Sequence, residues 1–248
     1  MQHRNVTQRT GIEDVMPNEQ RVCVVVGVGP GNGAACVRRF AADGFKVAML
    51  ARSDLAALEK EIPETRAFFC DVSDEGSVTN ALAQVKATLG DPEVVVYNAG
   101  SGVFANVENI TAKDLEDAFR VNTLGLFHVS RAVIPAMKTQ QRGAIIVIGA
   151  TASRRGGKLT AAFAPAKAAQ KSLCESMARH LWPDGIHIAL VVVDGVIDLA
   201  RTRKRMPDKP DDFFLAPDDI AATVAFLASQ PRSAWAFELE ARPFGEVW

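Results

Sequence analysis

Between residues 27 and 33 the chain reads Gly27-Val28-Gly29-Pro30-Gly31-Asn32-Gly33, a run suited to a tight backbone turn around an anion. Glycine enters left-handed conformations at little cost, and its missing side chain lets a phosphate approach main-chain N–H groups. A β-branched run from Arg21 to Val26 precedes the turn, and a helical pattern from Asn32 to Asp43 follows it. The helix N-terminus therefore meets the turn, where unpaired N–H groups and the helix dipole favour negative charge. Strand, glycine turn and helix together predict a dinucleotide site, with Gly27, Gly29, Gly31, Asn32 and Gly33 at the pyrophosphate. About 20 residues beyond such glycines an NAD site usually carries an acid for the ribose 2′-hydroxyl. Here Ala51 holds that place, followed by Arg52 and Ser53. A guanidinium and a hydroxyl suit the additional 2′-phosphate, so NADP(H) is favoured over NAD(H). The alternative is that Arg52 is a solvated loop residue.

Other reactive side chains show no comparable pattern. Cys23, Cys36, Cys70 and Cys174 contain no Cys-x-x-Cys pair and read as reduced thiols packed as small apolar groups, which points to a cytoplasmic protein. His3, His128, His180 and His187 lack ligand spacing, so no metal is expected. A net charge of -1 over 248 residues provides no broad field for nucleic acid or an anionic membrane. No apolar run approaches the roughly 18 residues that span a bilayer. With 48% hydrophobic and 23% charged residues the composition is that of a globular chain with a substantial core. The first 20 residues are polar and read as a flexible leader.

Strand and helix patterns alternate from residue 21 onward, and many strands are apolar on both faces. This predicts one doubly wound, Rossmann-type α/β domain over 21–248, its parallel sheet covered by helices on both sides. Strands are expected at 21–26, 46–50, 66–70, 93–97, 144–149, 186–193 and 236–241. Helices are expected at 32–43, 54–62, 73–89, 112–138, 160–181 and 217–228. In such a sheet the ligand crevice opens at the carboxyl ends of the strands, which is where the glycine turn falls.

The motifs in order are Gly27-x-x-x-Gly31-x-Gly33, Cys70-Asp71-Val72, Tyr97-Asn98-Ala99-Gly100, Val121-Asn122-Thr123 and Lys167 at the head of a helix. Over residues 20 to 200 this set resembles the short-chain dehydrogenase/reductase family. The resemblance implies that Asp71 and Val72 hold the adenine, and that Asn98, Ala99 and Gly100 flank the ribose. It places Asn122 in the proton-relay helix. Asp194-Gly195-Val196-Ile197 resembles the family's Pro-Gly turn with Asp in place of Pro, which implies that the Ile197 backbone meets the nicotinamide amide.

The family's catalytic pattern is Tyr-x-x-x-Lys with a Ser thirteen residues before the Tyr. This chain reads Phe163-Ala164-Pro165-Ala166-Lys167, and Ala150 stands thirteen residues before Phe163. Reduction of a ketone by hydride needs a proton for the developing alkoxide and a donor that polarises the carbonyl. Phe163 has no proton to give and Ala150 no hydrogen bond. The single tyrosine, Tyr97, lies at the end of the fourth strand. Thr151 or Ser153 could orient a substrate, or both could be ordinary loop residues. Lys167 could donate a proton, or only anchor the nicotinamide ribose.

Residues 201–215 follow the turn where the family carries its substrate lid. Arg201, Arg203, Lys204 and Arg205 could receive an anionic substrate, or could be balanced by Asp208, Asp211 and Asp212. The aromatic tail from Trp235 to Trp248 lies, by resemblance, where family subunits meet, implying a homo-oligomer, tetramer or dimer. The expectation is an NADP(H)-dependent oxidoreductase acting on a small carbonyl, quinone, enone or imine. The rival is a nucleotide-binding sensor or scaffold subunit with little or no turnover.

Overall fold

A computed structural model describes residues 21–245; the expected leader at 1–20 lies outside them. The elements follow in chain order: β1 Val22–Val26, α1 Asn32–Ala42, β2 Lys46–Ala51, α2 Ala56–Glu61, β3 Thr65–Phe69, α3 Glu75–Thr88 and β4 Val94–Tyr97. Then come α4 Ala112–Phe119, α5 Gly125–Gln140, β5 Gly143–Ile148, α6 Phe163–Leu181 and β6 Ile186–Val193. The last are β7 Val196–Ile197, α7 Ala200–Arg205, β8 Phe214–Leu215, α8 Pro217–Ala228 and β9 Glu238–Ala241. Seven strands form one sheet in the order β3-β2-β1-β4-β5-β6-β9, every neighbouring pair parallel. The two-residue strands β7 and β8 pair separately.

Period-two alternation sorts each strand between two cores. Val22, Val24 and Val26 of β1 join a layer with Val78 and Val85 of α3, Leu126 and Val133 of α5, and Met177 of α6. Cys23 and Val25 join the opposite layer with Val37 and Phe40 of α1 and Ile220 and Val224 of α8. Helices on both faces account for strands that are apolar throughout. The α/β architecture expected from the sequence is therefore the one observed. All four cysteines are free and buried.

Strand order reverses between β1 and β4, and the glycine turn after β1 and the Asn98 segment after β4 lie at this switch point, at the carboxyl ends of the strands, where such sheets bind ligands. The long helix expected at 112–138 is divided. A π-helical turn, Arg120–Leu124, separates α4 from α5, with the Gly125 N–H reaching back to the Arg120 carbonyl. Such turns widen a helix and loosen its regular main-chain pairing, and this one carries Asn122. Helix α6 starts at Phe163 rather than Thr160, because the Thr160 hydroxyl binds both the N–H and the carbonyl of Gly157 and holds a turn there. Likewise β9 starts at Glu238, since the Ala236 N–H bonds the Gln230 side chain.

Candidate active site

The glycine turn is anchored on β2, whose Leu50 carbonyl accepts from the N–H groups of Gly27 and Val28 at 2.8 and 3.1 Å. Gly27 has φ of +86°, and a Cβ there would lie 2.5 Å from the Ala99 Cα. The close approach joins β1 to the segment after β4, and Asn98 Nδ2 locks it by donating to the Gly27 carbonyl at 2.7 Å. At Gly33 a Cβ would lie 2.8 Å from the Val28 Cα. Gly29 differs, since a Cβ there would meet nothing within 4 Å, so no crowding requires that glycine. Asn32 opens α1 and is only 5% exposed, yet its Oδ1 has no partner among the described residues. A buried acceptor left unpaired is costly unless a ligand completes it. No side chain caps α1 and no acid occupies its first turn, which leaves its N-terminus available to an anion.

Further along the carboxyl edge of the sheet, β2 ends at buried Ala51, with exposed Arg52 and Ser53 beyond it. Arg52 forms no hydrogen bond or ion pair with any described residue; its charge lies close enough to Asp71 to help lower that acid's pKa. The larger cause is the Ser73 hydroxyl. Asp71 Oδ1 accepts from the Ser73 hydroxyl at 2.7 Å and its N–H at 3.0 Å, leaving the second oxygen for a ligand. Val72 is buried beside it. An uncapped helix N-terminus and an unpaired guanidinium fit the phosphates of a dinucleotide, while the Asn32 Oδ1 acceptor and the Asp71 carboxylate fit its N–H and O–H donors.

At the other end, Phe163 and Lys167 lie four residues apart on α6 and so share one face. Lys167 is 4% exposed and donates to the Ile148 carbonyl and to Gln170 Oε1, both at 2.9 Å. Burial lowers its pKa to about 8, because removing an ammonium from water disfavours the charged form. Its Nζ lies 5.9 Å from the centre of the Phe163 ring. Gly102 packs against that ring, so close that a Cβ would lie 2.7 Å from Phe163 Cδ2, and Phe104 tilts onto it at 5.3 Å. Asn122 is wholly buried, and its Nδ2 donates to the Ser101 and Ala118 carbonyls at 2.6 and 2.7 Å. Its Oδ1 has no partner among the described residues. Gly100 stands between them: a Cβ there would be 3.4 Å from Asn122 Oδ1 and 3.7 Å from Lys167 Nζ.

The structure turns the two candidate hydroxyls elsewhere. Thr151 donates to Asp194, which also pairs with Arg242, and Ser153 Oγ accepts from the Ala150 N–H at 3.2 Å. Asp194, in the place of the family's proline, thus joins the ends of β5, β6 and β9. Tyr97 is fully buried and donates to the Val121 carbonyl at 2.5 Å; burial raises its pKa, so it is a structural phenol. The Ile197 carbonyl accepts from Thr202 at 2.6 Å. Two residues on, Leu199 reaches the glycine turn, its Cδ2 2.8 Å from where a Gly31 Cβ would stand. In the 201–215 segment only part of the charge is balanced. Arg203 binds Asp198 and Asp211 at 2.6 to 2.8 Å, whereas Arg201, Lys204 and Arg205 form no ion pair with described residues. Trp235 of the aromatic tail stacks on His187 at 4.7 Å within the chain.

Gln170 was not legible as a site residue from motif spacing. Its signal is positional: three residues after Lys167 and seven after Phe163, it falls on their helix face. Among the described residues no cluster of metal-ligating side chains occurs and no helix is long and apolar enough to cross a membrane.

A family model described as short chain dehydrogenase matches residues 21–210. A 3-oxoacyl-acyl-carrier-protein reductase of Mycobacterium bovis is 32% identical over 225 residues, spanning 88% of this chain and 89% of that protein. A solved short-chain dehydrogenase from Rhodopseudomonas palustris matches with a TM-score of 0.78 and 32% identity, covering 90% of this chain and 99% of that one. An alcohol dehydrogenase from Thermococcus sibiricus, complexed with 5-hydroxy-NADP, gives 0.82 at 27% identity, covering 92% and 99%.

Proposed function

The chain belongs to the short-chain dehydrogenase/reductase family, and from that premise we propose that it is an NADP(H)-dependent oxidoreductase with an atypical reaction end. The observation that carries this reading is a buried Lys167 ammonium beside the Phe163 ring, at one end of a dinucleotide cradle. Gly27, Gly31, Gly33 and Asn32 would hold the pyrophosphate, Asp71 and Val72 the adenine, and Asn98, Ala99 and Gly100 the ribose. Arg52 and Ser53 would receive the 2′-phosphate, and the Ile197 backbone the nicotinamide amide. Support for NADP(H) comes from the unpaired Arg52 and from the NADP analogue in the Thermococcus sibiricus enzyme. The nicotinamide, when bound, supplies the hydride.

At the reaction end Phe163 and Ala150 offer neither proton nor polarising hydrogen bond, and Thr151 directs its proton to Asp194. Lys167 is the acid that remains, with Asn122 bracing the loop beside it. Substrates are therefore those that need little help with protonation: quinones, enones, imines or an activated small carbonyl. Phe104, 66% exposed and leaning on Phe163, offers an aromatic face to such planar groups. Residues 201–215 serve as the lid of this single domain. The exposed apolar side chains of Leu115, Phe119 and Phe127 along α4 and α5 support a homo-oligomer.

Mixing the protein with NADPH and a panel of quinones, enones, imines and ketones tests the reading. Loss of NADPH absorbance with at least one conjugated class is expected. Silence across the panel would leave the rival, a nucleotide-binding sensor or scaffold subunit, which the lost donors at 150 and 163 favour. Replacing Arg52 with Ala should weaken NADPH binding about tenfold or more and NADH binding hardly at all, since a charge-assisted contact to phosphate contributes roughly 1.5–3 kcal/mol. Equal weakening would remove Arg52 from the phosphate site.

A further inference from the structure

Gln170 is a polar side chain with no exposed surface, held in the middle of α6. A buried amide is tolerated only when its groups are paired, and here both partners are specific. Its Oε1 accepts from Lys167 Nζ at 2.9 Å, and its Nε2 donates to the Asn122 carbonyl at 2.7 Å. The orientation of the amide follows from chemistry. An ammonium can only donate and a carbonyl can only accept, so the reversed amide would oppose like with like at both ends. The Asn122 carbonyl belongs to the π-helical turn, where regular helical pairing is interrupted.

Lys167 carries three N–H donors. Two are directed at Ile148 and Gln170, which fixes the direction of the third. On this interior side the neighbours are two oxygen acceptors and the buried Cys174 thiol; burial pushes that thiol up to about 12, so none of them releases or takes up a proton near neutral pH. We propose that Gln170 is a positioning residue: it locks the Lys167 ammonium to the π-turn and closes the interior side to proton transfer. Lys167 then has one exit for a proton, its third N–H. The proposal rests on the oxidoreductase reading above. In that reading the substrate carbon that takes up the hydride would release its carbonyl π pair to the oxygen, and the Lys167 N–H bond would break as the product O–H forms. Neutral Lys167 must then be reprotonated by the same route, at the position of its third N–H.

The test follows Lys167 itself, by NMR titration of protein carrying carbon-13-labelled lysine, a readout that needs no turnover. Gln170→Met removes both bonds while keeping most of the shape. It should lower the Lys167 midpoint by about one pH unit, a tenfold change in its protonation equilibrium. Gln170→Glu keeps an acceptor and adds a charge, and should raise the midpoint by a unit or more. Either variant alone decides the matter should the other fail to fold; an unmoved midpoint in either would overturn the proposal. With a substrate found, the alkaline limb of the pH–rate profile should shift with the NMR midpoint in both variants. A limb that stays fixed while the midpoint moves would remove Lys167 as the donor and overturn the single-exit route. Silence across the substrate panel defeats the oxidoreductase reading and leaves the positioning result to NMR.

Discussion

Lys167, only 4% exposed, lies among groups that all address its charge: two oxygen acceptors, an aromatic ring and the Cys174 thiol. The acceptors favour the ammonium and burial disfavours it, and burial prevails, bringing the pKa down to about 8. That value suits a donor working near neutrality. What the site lacks is a phenol between this charge and a substrate. The double change Ala150→Ser with Phe163→Tyr should supply it, because Gly102 touches the near edge of the ring and not its far end. General acid catalysis contributes about 10²–10⁴-fold, so NADPH-dependent ketone reduction should rise by at least 10²-fold over the parent chain. No gain in steady-state rate would show that positions 150 and 163 are not the catalytic slots.

At the scale of elements, the loops after β5, β6 and β9 meet on one carboxylate. Asp194 is buried and accepts from Thr151 and from Arg242, with Arg155 at 3.8 Å. Removing one partner of a buried pair strands the other charge, at a cost of about 3 kcal/mol or more. Arg242 keeps Glu240 at 3.3 Å and further interactions, so Asp194→Asn should lower stability by less than that amount, about 1–2 kcal/mol. In a denaturant cycle with Arg242→Gln, a coupling of about 1 kcal/mol or more is expected. Additivity within a few tenths would mean that the three ends are not tied through this pair. The same scale explains why the sequence reading joined α4 and α5. Apolar spacing continues across residues 112–138, and one extra residue in a helical turn barely disturbs a periodic pattern.

Across the whole molecule, four buried thiols bear on stability in alkali. Burial raises the thiol pKa to about 12 for Cys36 and Cys174 and to about 11 for Cys70, and raises that of Cys23 as well. Unfolded thiols ionise near pH 9, so the unfolded chain holds fewer protons above that point. Stability is fully present below pH 9 and is lost as pH rises through the folded values. By pH 10 the loss is about 1 kcal/mol for each of Cys36 and Cys174. Lys167 works in the opposite sense, since its folded pKa is lowered from 10.5 to about 8; between those values stability rises with pH. Four thiols outweigh one lysine. Denaturant unfolding at pH 8 and pH 10 should show the net loss, and Cys36→Ala should reduce it by about 1 kcal/mol; an unchanged difference would contradict the assignment. Sedimentation should show a dimer or tetramer, and placing Asp at both 119 and 127 should dissociate it. A monomer at every concentration would dispose of the homo-oligomer.

Much of the dinucleotide end could be read from the chain alone, because its determinants are local. A tight turn between strand and helix demands glycine within a few residues, and the replacement of an acid by Ala51-Arg52 is adjacent in sequence. The parallel sheet covered on both faces followed too, since alternating β and α patterns with doubly apolar strands leave few ways to cover a sheet; which strands lie side by side did not. The reaction end is different. Phe163 and Ala150 told only what is missing there. The partners of Thr151, of Asp194 and of Gln170 come from segments 43 to 48 residues away, and no local pattern encodes such pairings. Tertiary packing decided that Thr151 serves Asp194, that Lys167 is buried, and that an amide fills the space between it and Asn122. A hydrogen bond depends on where the fold brings a donor and an acceptor, and spacing along the chain constrains that only within one element.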